Sequence, residues 1–422
     1  MTKGASAPRP RRWTRAGAVL GPGLITGAAD DDPSGIATYS QAGAQFGFSM
    51  LWTVVFTLPL MVAIQLVSAR IGHVTGRGLA ANIKARFPRP VLLGVVGLLV
   101  GANTLNIAAD IAAMAEALRL VIGGSTHLYA VAFGLVCLAL QVFVSYRAYV
   151  RWLKWMTLAL LAYVAVAFTL RIDWAQVVLQ LVLPRLPGTH ETLLTVVAIF
   201  GTTISPYLFF WQAAQEMETS RERARTTEQV RRHLRRIRLD TIFGMAFSNA
   251  IAFFIILSAA ATLHTAGITE IRTSAQAAEA LRPIAGELTF LLFSLGIVGT
   301  GMLAVPVLAG SAAYAVAEVA GWKGSLSLRL EKGEGRGFYG VLSASTLGGV
   351  ALCFAQIDPV RVLFWAAVLN GVIAVPIMVV MMLLATRRGT MGEHAIGPGL
   401  RWLGWTATCA MGVTVAGMFA TI

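Results

Sequence analysis

Gly21-Pro-Gly-Leu-Ile-Thr-Gly-Ala-Ala-Asp30-Asp31-Asp32-Pro33-Ser34-Gly35-Ile-Ala-Thr-Tyr-Ser-Gln41 lies in a stretch apolar enough to cross a membrane, yet three consecutive carboxylates occupy its middle. One charge at the bilayer centre costs roughly 2.5–3.5 kcal/mol on insertion scales, so three on a plain lipid-facing helix are prohibitive. Pro33 removes a backbone donor and disfavours helical geometry at Asp32, and Gly35 lets the chain turn. The stretch reads as a broken helix whose unwound middle lines a polar cavity, the one setting in which irregular backbone survives at membrane depth. Carboxylates and freed carbonyls in such a cavity suit a cation.

The rest of the chain supports a membrane setting. Of 422 residues, 56% are hydrophobic and only 13% charged, and the mean hydropathy is +0.70. This excludes an ordinary soluble domain. Apolar runs predict eleven spans, at about 16–47 (broken), 50–72, 90–122, 127–147, 150–171, 191–217 (broken), 239–263, 284–320, 338–357, 359–386 and 400–420. The net charge of +14 is spread over alternate loops, as a topology signal rather than a nucleic-acid face. The basic loops are the N-terminus, Arg77–Arg89, Arg147–Lys154, Arg221–Arg238, Lys323–Arg336 and Arg387–Arg401, while the loops between them carry few Lys or Arg. The N-terminus is therefore expected in the cytoplasm and the C-terminus outside. The basic leader runs into an apolar stretch without a cleavage site and does not read as a removed signal peptide. Cys137, Cys353 and Cys409 all fall in apolar runs and form neither a disulfide framework nor a Cys-x-x-Cys pair. No enzyme constellation or nucleotide motif is present, and no cofactor is expected.

A second break is expected in span six, where Gly201-Thr202-Thr203-Ile204-Ser205-Pro206 again joins a glycine, small hydroxyls and a proline at mid-membrane. Alone it could be a proline kink with hydroxyls bonded back to the preceding turn. Its place at the start of a second set of five spans, entering from the opposite side, points instead to an inverted-repeat transporter. The predicted organisation is a basic cytoplasmic segment (1–15), a first five-helix repeat (16–171), an extracytoplasmic loop (172–190), a second repeat (191–386), and a loop with an eleventh helix (387–422).

These residues resemble the Nramp (natural resistance-associated macrophage protein) divalent-metal transporters over nearly the whole chain. The resemblance rests on Gly-Pro entering span one, the break at Asp32-Pro33, Asn103–Asp110 in span three, Gly-x-Thr-x-x-Pro in span six, and Asp240 with Asn249 in span seven. It implies an all-α LeuT-like fold of eleven helices, with helices one and six broken and the metal between them. Position by position, Asp32 matches the metal-binding aspartate and Thr202 the residue lending a carbonyl. Gly35 stands in place of an asparagine ligand and Ser205 in place of a methionine. Tyr207 and Gln212 replace two histidines, and Ala113 replaces a glutamate linked to proton movement, with Glu116 one turn away.

The departures have a chemical direction. Thioethers favour transition metals, whereas hydroxyl, carbonyl and carboxylate oxygens suit hard ions, and Mg²⁺ is usually held through retained waters. None of the six histidines falls in the middle of a span. The pattern resembles the Nramp-related magnesium transporters. The expected ligands are Asp32, Thr202, Ser205, Ser34 and Gly35, with Asp30, Asp31, Asp110, Asn103, Tyr207 and Gln212 around the site or along the ion path. Asn103, Asn106 and Asp110 share one helical face, where hydrogen bonding between helices is the plainer reading for the amides. Gln41 and Asn370 could add contacts to hydration waters, with structural packing the plainer reading for either. The expected function is uptake of Mg²⁺ and/or Mn²⁺ across the plasma (bacterial inner) membrane without proton coupling. The alternatives are a proton-coupled Mn²⁺/Fe²⁺ symporter, a Na⁺-coupled organic-substrate symporter, and a sensor that keeps the fold. The only partners expected are the metal ion and membrane lipids, with no nucleic acid, and a monomer suffices.

Overall fold

The computed structural model describes residues 22–144, 158–170, 172–183, 188–221, 227–326, 335–355 and 358–421. Met1–Arg15, the basic turn at Arg147–Lys154 and the start of the expected fifth span lie outside them. Numbering helices of eight residues or more, the order is α1 (Pro22–Asp30), α2 (Pro33–Phe46), α3 (Leu51–Thr75), α4 (Leu79–Arg86) and α5 (Arg89–Ile122). There follow α6 (Thr126–Phe143), α7 (Leu161–Thr169), α8 (Trp174–Val182), α9 (His190–Thr203) and α10 (Pro206–Arg221). The last five are α11 (Thr227–Ala259), α12 (Thr289–Ala320), α13 (Arg336–Leu352), α14 (Pro359–Thr386) and α15 (Pro398–Ala420). No strand occurs among the described residues.

Nine helical runs among the described residues are long and apolar enough to cross a membrane, or ten if the bent pair α7–α8 forms one span. One run, Pro33–Thr75, is 43 residues long and turns at a 3₁₀ segment, Gly47–Met50. Reading that run as two spans gives ten, and eleven if α7–α8 also crosses. Gly47 has φ +59° there and tucks under the His264 ring; a side chain at this left-handed position would be strained.

Several boundaries differ from the sequence reading. The positive loop after span two contains α4, and α11 starts at Thr227, twelve residues before the expected 239. Arg231, Arg232, Arg235 and Arg236 thus ride a helix that extends beyond the apolar run, because polar residues of good helix propensity continue a helix once it is nucleated. The segment expected as a plain loop after Asp173 contains α8, which bends 118° away from α7. α8 leaves Trp174, Val178, Leu179 and Val182 exposed, as a helix lying along a membrane interface does.

Both expected breaks are present. α1 stops at Asp30 and α2 restarts at Pro33; α9 stops at Thr203 and α10 restarts at Pro206. At the first break Asp32 is extended (φ −71°, ψ 170°) and its side chain caps α2 by accepting from Gly35 N, while Pro33 takes the first helical position, where no N–H is needed. Pro59, Pro306 and Pro376, by contrast, sit inside α3, α12 and α14 without ending them. The most extensive packing joins α5 to α12, α1 to α11, α9 to α14 and α10 to α3. α1 and α11 approach closely: Gly27 faces the Gly244 backbone with no room for a Cβ, and Gly23 N donates to Asp240 Oδ2 at 2.8 Å. On the other broken helix, Gly201 abuts Ala367 O and lies with its Cβ position 2.9 Å from Gly371 Cα. Close backbone contact through small residues is how membrane helices associate without a hydrophobic driving force.

A methyl at Gly201 has to push α9 away from α14, so Gly201→Ala is expected to destabilise the protein by roughly 1–3 kcal/mol and to lower its melting temperature in detergent. Gly94→Ala, on α5 with nothing within 4 Å, should leave the melting temperature unchanged or slightly raised.

Candidate functional site

The two breaks face one another across the interior. Tyr207, in the first turn of α10, places its Oη 3.1 Å from Asp32 Oδ2 and 3.1 Å from Ala29 O, the carbonyl near the end of α1. Tyr39 on α2 meets Thr203 Oγ1 at 3.1 Å, at the end of α9. A Cβ on Gly35 would lie 3.1 Å from Thr202 Oγ1, so the side chain at position 35 is absent where the two segments come closest. The local reason is shared: each break frees carbonyls on one side and N–H groups on the other, and each is bridged by groups from the opposite break.

Asp32 is the best-held group in this cluster. Its Oδ1 accepts from Ser34 Oγ at 2.6 Å and from Gly35 N at 2.7 Å, and its Oδ2 faces Tyr207. The start of α2 also offers its positive dipole end to this carboxylate. Ser34 therefore orients the Asp32 carboxylate. Ser205 Oγ donates back to Gly201 O at 2.8 Å and Thr202 O at 2.7 Å, the local bond that small hydroxyls commonly make. Thr202 Oγ1 is buried with no hydrogen-bond partner. The structure thus brings Asp32, Ser34, Gly35, Thr202, Ser205 and Tyr207 together, with carboxylate, hydroxyl and carbonyl oxygens as the donors of both breaks.

Other expected residues lie elsewhere. Asn103 bonds to Leu308 O at 2.8 Å and Ser311 Oγ at 2.7 Å on α12, so it ties α5 to α12. Asn106 and Asn370 exchange amide hydrogen bonds at 2.9 and 3.1 Å and are likewise structural. Gln212 bonds to Gln65 at 3.2 Å, lower on α10. Gln41, a candidate for hydration waters, lies in the second half of α2, where it clamps the backbone at Thr269 and Ile271 at 3.1 and 2.8 Å. Glu116, near the position of the missing glutamate, pairs with Arg119 at 2.6 Å on the helix surface. Asp110 remains a candidate: it is fully buried and both its carboxylate oxygens lack a hydrogen-bond partner.

Ser248 was not singled out from the sequence. It reaches from α11 to Asp30 and Asp31. The spacing Asp240, Gly244, Ser248 places all three on one stripe of a helix, and that stripe faces α1. This pattern was readable, but nothing in it named α1 as the neighbour.

The site lies in the interior of the bundle. Asp32 is 1% exposed. Near the start of α2, Ile36, Ala37, Ala113, Ala277, Phe293 and Val360 line a cavity of about 10 Å³, room for one water at most. Ser68 Oγ bonds to Phe209 O at 2.5 Å and Gln65 to Leu208 O at 3.1 Å, which ties α3 to α10. Among the described residues no three His, Cys, Asp or Glu side chains converge on one point, so an ion here would need hydroxyls, carbonyls or water to complete its shell.

This arrangement matches known proteins along its whole length. A family model for natural resistance-associated macrophage protein-like sequences matches residues 23–421. A divalent metal cation transporter MntH from Chromohalobacter salexigens is 31% identical over 304 residues, covering 70% of this chain and 68% of the relative. Another MntH, from Klebsiella pneumoniae, is 26% identical over 400 residues and covers 92% of this chain and 90% of its own. Among solved structures, a manganese transporter from Eremococcus coleocola superposes with a TM-score of 0.75 at 19% identity, covering 98% of this chain and 89% of its own. The nucleobase-cation symporter Mhp1 superposes with a TM-score of 0.59 at 13% identity over 95% of this chain and 92% of its own. With two broken helices facing each other inside a bundle of membrane-crossing length, the chain belongs to the Nramp family of divalent metal cation transporters, which are integral membrane proteins and not enzymes.

Proposed function

We propose that this chain carries Mg²⁺ and/or Mn²⁺ into the cell, across the plasma membrane, without moving protons along with the ion. The observation that carries the reading is the donor chemistry of the facing breaks: Asp32, Ser34, Thr202 and Ser205 offer only oxygen, and oxygen donors suit hard divalent ions. In the proposed transport cycle Asp32 is the charged anchor, and the Thr202 and Ser205 groups complete the shell together with waters. The ion enters when the contacts above Asp32 part and leaves when those below it part. The orientation follows the charge of the loops, with the N-terminus in the cytoplasm and the C-terminus outside. The facing breaks also support two five-helix repeats, 16–171 and 191–386, with 387–422 appended.

A proton-coupled Mn²⁺ symporter is the second reading. It is favoured by the unpartnered, buried carboxylate of Asp110, a group able to hold a proton, and by the manganese named for the Eremococcus coleocola structure. Tyr207 and Gln212, by contrast, supply no group that titrates near neutral pH.

Radiotracer uptake of Mn²⁺ and Mg²⁺ into proteoliposomes, with a pH-sensitive dye trapped inside, tests the reading. The expected result is uptake of both ions without internal acidification; acidification that follows metal entry and disappears in Asp110→Asn supports the symporter instead. Asp32→Ala should abolish uptake while the purified protein stays monodisperse, and normal uptake by that variant would remove Asp32 from the site. Ser205→Met should raise the preference for Cd²⁺ over Mg²⁺ by adding a soft donor, read as competition of Cd²⁺ against Mg²⁺ uptake. Tyr207→Phe removes the donor opposite Asp32 Oδ2 and is expected to weaken the apparent affinity for Mn²⁺ by roughly tenfold, the usual effect of losing a group that orients a ligand.

A further inference from the structure

Asp30 and Asp31 stand apart from the donors around Asp32, and their burial needs its own explanation. Both are interior, 1% and 2% exposed. Among the described residues every ion pair involves other acidic groups. Their shared partner is Ser248 on α11, whose Oγ lies 2.6 Å from Asp30 Oδ2 and 3.0 Å from Asp31 Oδ1. A hydroxyl has a single proton to donate. It serves one carboxylate and presents only lone pairs to the other.

Two further observations point the same way. Asp30 Oδ1 is buried with no hydrogen-bond partner, a costly state for a carboxylate away from water. Asp30 is also the last residue of α1, so the terminal carbonyls of that helix and the negative end of its dipole lie at the cluster. Two carboxylates, a hydroxyl oxygen and a helix C-terminus therefore meet with one proton donor between them. Half-helix C-termini and unwound carbonyls are where broken-helix transporters hold cations. The oxygen separations of 2.6 and 3.0 Å are near the edge of an oxygen octahedron around an ion bound at about 2.0–2.1 Å.

We propose that Asp30, Asp31 and Ser248 form a second hard-cation site, on the α1 side of the break, that receives the transported divalent ion from Asp32. It rests on the metal-transport reading above. In the orientation proposed there, the site lies on the cytoplasmic half of the path. Its donors are all oxygen, so it takes Mg²⁺ or Mn²⁺ and not a thiophilic metal. The ion would compensate the charge that Ser248 alone cannot.

Mn²⁺ binding to the purified full-length chain, followed by calorimetry and by the loss of the free-ion paramagnetic resonance signal, tests this. Asp32→Ala protein should still bind one Mn²⁺, and adding Asp30→Asn and Asp31→Asn should abolish that binding. Ser248→Ala, introduced into the Asp32→Ala protein, keeps both carboxylates and should weaken binding about tenfold. No Mn²⁺ bound by monodisperse Asp32→Ala protein, when wild type binds it, overturns the second site alone. Binding that survives Asp30→Asn with Asp31→Asn does the same. Should that combination fail to fold, Ser248→Ala decides, and an unchanged affinity overturns the proposal. Retention of radiosodium in place of Mn²⁺ overturns the divalent assignment. Wild-type protein that binds neither Mn²⁺ nor Mg²⁺ overturns the transport reading, and this site with it.

Discussion

Three adjacent carboxylates held in the interior of a membrane bundle, none of them in an ion pair among the described residues, are the constraint on which the rest of this structure depends. Hydrocarbon and a continuous helix both forbid them. Ending α1 at Asp30 and restarting at Pro33 turns the backbone into part of the solution. The start of α2 donates to Asp32 through Gly35 N, and the end of α1 leaves carbonyls that are poor company for anions but good company for a cation. The same three residues thus experience opposite ends of two short helix dipoles. Asp32 is met by several fixed donors, while Asp30 and Asp31 share a single hydroxyl.

Keeping a break of this kind in place needs neighbours that do not yield. α1 lies against α11 through Gly27 and Gly244, and Asp240 holds the first turn of α1. α9 lies against α14 through Gly201 and Gly371. These contacts are backbone to backbone, so they transmit displacement with little slack. Side-chain hydrogen bonds add to these seams. Tyr39 to Thr203, Gln41 to the backbone at Thr269 and Ile271, and Gln65 to Leu208 O are single side-chain hydrogen bonds. Each is worth about 0.5–1.5 kcal/mol net. α3 and α10, which Gln65 ties, also meet backbone to backbone, where Gly72 lies against Ala213 O.

The legible part of the molecule was the part that depends on local chemistry. Apolar length located the spans, and Asp32-Pro33 and Ser205-Pro206 located the breaks to the residue. Proline alone would not have done so, since Pro59, Pro306 and Pro376 remain within helices. What distinguishes Pro33 and Pro206 is the preceding Asp32 or Ser205, a side chain able to satisfy backbone groups that the interrupted ladder leaves open. Asp32 does this by capping α2 and Ser205 by bonding back to α9. The extent of α11 and the presence of α4 and α8 were not legible. Their sequences are too polar or too short to register as spans, and they are helical because they continue or brace apolar neighbours.

Sequence by itself determined that the chain crosses a membrane, that two of its helices are interrupted, and that Asp32 stands at the first interruption. These follow from residue chemistry acting over a few positions. Only the tertiary structure decided that Ser248, more than two hundred residues from Asp30, completes an oxygen cluster with it. It also decided that Asn103 and Asn370 serve as interhelical ties and that Gln41 clamps the backbone at Ile271. A buried polar group takes whichever partner helix packing brings within about 3 Å. That choice is made by the shape of the whole bundle, and no local pattern in the sequence encodes it.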